Sequence, residues 1–145
     1  MDHLAILKKS RKLSQKIIIG EKSIESRWYK FKRNPWNKIR KGETIYFKDS
    51  GDPVCFKAKV ENVLQFDNLT LEKVKKIVTK YGDKICLSKT RDEQFWEHFK
   101  NKNYCILMFL KNVKKIEPFN INKKGYGLMN AWICVENIKI GRAHV

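Results

Sequence analysis

A chain of 145 residues, 42% hydrophobic and 12% aromatic, has enough apolar surface for one core, so its 32% charged residues do not make it a disordered segment. The longest uncharged apolar run, Tyr104 to Leu110, is far below the roughly 20 residues that cross a bilayer, and no secretory pattern follows Lys8 and Lys9. A cytoplasmic monomer without membrane association is expected. The formal net charge of +17 draws polyanions, nucleic acid first, although Lys outnumbers Arg 26 to 6, as an AT-rich genome alone would give.

In chain order, His3 to Leu7 reads as a first strand. Ser10 can cap a helix from about Arg11 to Ile19, with Leu13, Ile17 and Ile18 on one face and Gly20 free to take the left-handed stop. Period-two alternation from Ser23 to Tyr29 predicts a strand. Lys30 to Gly42 sets basic residues around Phe31, Pro35 and Trp36 and reads as a long basic loop, since Pro35 cannot sit in a central strand. Thr44 to Lys48 and Val54 to Phe66 follow as strands joined by the turn Asp49-Ser50-Gly51-Asp52-Pro53.

Thr70 opens an amphipathic helix with the stripe Leu71, Val74, Ile77, Val78 and Tyr81. Thr90-Arg91-Asp92-Glu93 reads as a capping box for a further helix that turns Phe95, Trp96 and Phe99 to the core. Tyr104 to Leu110 suits a strand covered on both faces, and Trp132 to Ile138 a closing strand. This order lacks regular βαβ alternation and predicts an α+β protein, a curved mixed sheet or barrel with helices at its sides. Residues 140–145 read like a translated sequencing adapter, so the domain is taken as residues 1–139.

Chemistry concentrates between Gly20 and Tyr29. On that strand Glu25, Arg27 and Tyr29 share one face, Ile24 and Trp28 the other, and Lys22 sits at the strand mouth, where its ammonium could swing to a phosphate or lose its proton if desolvated. An intrastrand Glu25–Arg27 ion pair of little energetic weight is the bland alternative. Trp28 is assigned to the core. Tyr29 and Trp36, beside Lys32 and Arg33, are the stacking candidates for a single strand with splayed bases.

Gly20, Lys22, Glu25 and Arg27 reproduce the G-x-K-x-x-E-x-R signature of the ASCH (activating signal cointegrator homology) family. The element order and the Lys-Asp-Ser-Gly turn at Lys48 to Gly51 resemble that family as well. The resemblance implies a PUA-like mixed β-barrel flanked by about three helices, with an RNA- or nucleotide-binding cleft beside the signature strand. Some members are similar to small amidohydrolases that deacetylate N-acetylated cytidine with a Lys, a Thr and a Glu. Lys22 falls on the lysine position, but Glu25 stands where those enzymes carry threonine, so the hydroxyl nucleophile is missing.

Two main readings therefore stand side by side. In the first, a binding module grips RNA or a nucleotide through Lys22, Glu25, Arg27, Tyr29, Lys32, Arg33 and Trp36, with backbone donors from Ser50 and Gly51. In the second, a nucleoside amidohydrolase or ribonuclease uses Lys22 as base and Glu25 as proton partner. A protein-interaction domain with an inherited charge bias is a third. The scattered His3, His98 and His144 lack metal-ligand spacing, so no metal or cofactor is expected, and the widely spaced Cys55, Cys86, Cys105 and Cys134 read as buried, reduced thiols.

Overall fold

The computed structural model describes residues 1–121 and 130–138; the segment 140–145 lies outside the described residues. Strand β1 (Asp2–Leu7), a 3₁₀ turn (Lys9–Arg11) and helix α1 (Leu13–Ile18) lead into β2 (Ile24–Tyr29), β3 (Thr44–Asp49) and β4 (Val54–Phe66). Helices α2 (Leu71–Ile85) and α3 (Glu93–Glu97), β5 (Tyr104–Phe119) and β6 (Trp132–Val135) follow. The strands form one sheet in the order β2-β5-β4-β3-β1-β6, curled into a half-barrel. All pairs are antiparallel except β1 with β3.

Alternation explains the interior. Phe56, Ala58 and Val60 of β4 point inward with Ala5, Ile45, Ile106, Met108 and Trp132 of the other strands, and Ile17 of α1 and Ile39 plug the same core. Phe47 and Phe56 stack at 4.7 Å and are wholly buried, each worth about 2–3 kcal/mol of burial. On the outer face Ile24, Cys105 and Leu107 meet Ile77 and Ile85 of α2. Thr70 caps that helix, accepting from the Lys73 amide at 3.2 Å. Leu71, expected in its apolar stripe, is 53% exposed at the first turn. Farther along α2, a Cβ added at Gly82 would lie 2.6 Å from Arg91 Nη2, so the Arg91 guanidinium rests directly on the helix.

Several boundaries differ from the sequence reading for identifiable reasons. Ser10 lies inside the 3₁₀ turn and caps nothing; α1 begins after Lys12, left-handed at φ 53°, while Ser14 is anchored by donating to Asp49 Oδ2 at 3.1 Å. Asp92, not Thr90, caps α3, accepting from the Phe95 amide at 3.0 Å, while the Thr90 amide donates to Ser88 Oγ. Strand β5 continues nine residues past Leu110, paired to β4 through bulges but largely exposed, so no apolar pattern marked it. The closing strand stops at Val135, and Ile138 is buried beyond it, its amide donating to Asp2 Oδ2 at 2.9 Å. Of the four cysteines, all free, Cys105 alone is buried.

His3 is wholly buried between β3 and β6. Trp132 Nε1, which can only donate, reaches His3 Nδ1 at 3.1 Å, so the imidazole proton sits on Nε2 and is given to Glu43 Oε1 at 3.0 Å. Among the described residues no helix is long and apolar enough to cross a membrane, and no cluster of three His, Cys, Asp or Glu could hold a metal.

Candidate functional site

Helix α1 ends where Gly20 adopts φ 87°, and two backbone hydrogen bonds, from the Lys22 amide to the Lys16 carbonyl and from the Ser23 amide to the Lys84 carbonyl, both 3.0 Å, bind the turn to α1 and to the end of α2. The turn drives the Lys22 side chain inward to 3% exposure. Its Nζ donates to the carbonyls of Ile24 and Ile85 at 2.9 Å each and lies 3.8 Å from Glu25 Oε1. Three N–H groups thus face three acceptors. Burial lowers the Lys22 pKa from 10.5, and the Glu25 carboxylate opposes that shift.

Glu25 is also 3% exposed, and its two oxygens differ. Oε1 accepts from the Ser26 amide at 3.0 Å and lies 3.9 Å from Arg27 Nε, whereas the buried Oε2 has no hydrogen-bond partner. Such an atom costs free energy unless something donates to it.

Lys22 and Glu25 line one wall of a hollow of about 380 Å³, within the size range of ligand pockets. Lys8, just before the 3₁₀ turn, and Arg11 at its end contribute further cations, and Trp28, Phe95 and Phe99 its aromatic surfaces. Trp28 packs edge-on against Phe99 with centroids 4.7 Å apart and fixes its indole by donating to Ser26 Oγ at 3.1 Å. His98 also lines the hollow; burial first, then Lys102, Arg11 and Lys8, lower its pKa from 6.5, favouring the neutral ring.

The sequence candidates divide accordingly. Lys22 and Glu25 line the hollow together, but Lys22 is tethered rather than free to swing. Arg27 abuts Glu25 and turns its head away, donating through Nη1 to the Ala131 carbonyl at 3.3 Å and through Nη2 to the Ile6 carbonyl at 3.4 Å, with its guanidinium 5.1 Å above the Trp132 ring. The Tyr29 hydroxyl donates to the Asn34 carbonyl at 2.8 Å, and burial raises its pKa. Trp36 packs edge-on against Tyr104 at 5.0 Å, its indole N–H buried without a partner.

Lys32 and Arg33 are exposed in the same loop, each within about 6 Å of an aromatic ring, Tyr104 and Tyr29 respectively. Ser50 and Gly51 lie in an exposed turn outside the hollow's lining, and the Ser50 amide is spent on the Leu7 carbonyl at 2.8 Å.

Lys8, Arg11, Phe95, His98 and Phe99 were not singled out as site residues, and Trp28 was assigned to the core. Alternation puts Trp28 on the strand face opposite Glu25, and the others converge from separate elements, so no local signal marks them.

No protein-family model matches the sequence, and no curated protein matches it. Among solved structures, the ASCH protein of Zymomonas mobilis is similar, with a TM-score of 0.67 and 18% identity, covering 93% of this chain and 87% of that one. A mutant form of that protein gives 0.69 at 18% identity, covering 96% of this chain and 93% of its own. A hypothetical protein gives 0.51 at 18% identity, covering 80% of this chain and 100% of its own. The curled six-stranded sheet with its flanking helices is thus the α+β fold of ASCH domain structures.

Proposed function

We propose that this ASCH-like domain binds RNA or a nucleotide in the hollow beside β2. The observation that carries the reading is the unpartnered Glu25 Oε2, buried at the wall of a cavity that also offers cations and aromatic faces. In this reading a base lies against Trp28, Phe95 or Phe99 and gives an N–H to Oε2, while Lys8 and Arg11 meet phosphate. Lys22 and Arg27 orient the carboxylate rather than touching ligand, and the exposed Lys32 and Arg33 extend the basic surface.

The hydrolase reading draws support from the lowered pKa of Lys22 alone. It requires a lone pair on Nζ, whose protons already face the Ile24 and Ile85 carbonyls and Glu25. Binding is therefore the better fit.

Fluorescence anisotropy with a labelled single-stranded RNA separates the two. Lys8→Ala/Arg11→Ala and Phe95→Ala should each weaken binding about tenfold, the scale of one lost stacked base or two phosphate contacts. Unchanged affinity in both variants would remove the hollow as the site. Turnover of an acylated cytidine or of RNA by the wild-type protein would favour the enzyme.

A further inference from the structure

Strands β4 and β5 place lysines directly opposite each other, Lys57 against Lys114 and Lys59 against Lys111. Two residues on β4 thus face a step of three on β5. In a regular strand a spacing of three would send Lys111 and Lys114 to opposite faces; the bulge between these pairs, with Asn112 at φ 53°, brings both into register with their β4 partners. Like charges facing each other across a ladder are destabilising. Among the described residues none of these four lysines forms an ion pair; Lys59 donates to Thr44 Oγ1 at 2.8 Å, and Lys57 stands 5.9 Å from the Tyr46 ring.

The same bulge opens a hollow of about 350 Å³ lined by Thr44, Lys57, Ala58, Lys59, Asn112 and Lys114. Ammonium groups, one hydroxyl and one amide surround it, with no aromatic face on which a base could stack. We propose that this bulge is a second, sequence-independent site for the phosphodiester backbone of a single nucleic-acid strand, distinct from the hollow beside β2. Lysine ammoniums are point charges suited to phosphate and poor at reading base edges. Phosphate bound there would also offset the repulsion between Lys57 and Lys114.

The test uses a fluorescein-labelled 12-nucleotide RNA and DNA of the same sequence, titrated at several KCl concentrations. Lys57→Gln/Lys114→Gln should weaken binding of both strands and lower the salt slope by about 1.4, two phosphates at roughly 0.7 each. The melting temperature should hold or rise by about 1–2 °C as repulsion is removed. Lys114→Glu should raise it further and weaken binding more.

Unchanged affinity and slope for both strands overturns the proposal. So does a loss confined to RNA, which would mean recognition of the ribose, or displacement of RNA by a polyglutamate peptide as readily as by unlabelled RNA, which would mean an acidic protein partner. The Lys8→Ala/Arg11→Ala variant, measured alongside, reports the hollow beside β2 separately, so either site can fail without the other.

Discussion

Arg27 on β2 donates to the Ile6 carbonyl on β1 at 3.4 Å, although three strands lie between β2 and β1 in the sheet. A second N–H reaches the Ala131 carbonyl beside β6, the far edge. One side chain, the arginine of the sequence signature, therefore spans the seam that the half-barrel leaves open.

Replacing Arg27 by lysine removes the planar fork that meets both carbonyls. Arg27→Lys should cost about 2 kcal/mol, the scale of hydrogen bonds from a charged group. Urea denaturation monitored by tryptophan fluorescence reads this as a lower midpoint; an unshifted midpoint would show that the seam needs no staple.

Lys22 and Glu25 form a pair in which each is 3% exposed, so breaking it strands a buried charge. Lys22→Met should destabilise the fold by about 3–5 kcal/mol, while Lys22→Met/Glu25→Gln should recover much of the loss. If the single variant melts with the wild type, the pair is not a structural unit.

Stability should fall on acidification. Burial lowers the pKa of His3 from 6.5 despite the raising influence of Glu43. Below pH 6.5 the unfolded chain takes up a proton that the folded His3 refuses, so folding weakens until the folded pKa is passed. Burial would raise the pKa of Glu43, but hydrogen bonds from His3, the Arg40 amide and the N-terminal amine outweigh it and lower the pKa from 4.5, which adds a second loss at lower pH. Denaturant titrations at pH 7.5, 6.5 and 5.5 should show this slope, and His3→Gln should flatten its upper part. An equal slope in the variant would place the titration elsewhere.

Trp36 sits in the basic loop, but its ring packs on Tyr104 and its N–H has no partner. Trp36→Phe keeps the ring contact and removes the stranded donor, so stability should be equal or higher by about 1 kcal/mol. RNA affinity should stay within about twofold, since loss of a stacked base would cost several times that. A large loss of affinity with unchanged stability would restore Trp36 as a stacking surface.

How much of this was legible depended on whether the cause was local. Alternation from Ile24 to Tyr29 and the spacing of Gly20, Lys22, Glu25 and Arg27 put the strand and the two buried ionisable groups within reach of reading. The amphipathic α2 and its Thr70 cap were visible for the same reason. Lys8, Arg11 and Phe99 meet β2 only through tertiary folding, which no spacing encodes. Charge likewise says nothing about direction: Arg27 could be read as basic, but not as pointing into the seam.

Gly82 has a wider consequence. Alanine would favour α2 at that position by about 1 kcal/mol in isolation, yet the Arg91 guanidinium occupies the space its methyl would fill. The Arg91 carbonyl in turn accepts from Trp96 Nε1 at 3.1 Å, coupling that stretch to the helix that bears Phe95. A larger residue at 82 would press on the tip of the Arg91 side chain, which must swing aside to admit it. Absence of a Cβ at residue 82 is thus what gives Arg91 its seat on α2.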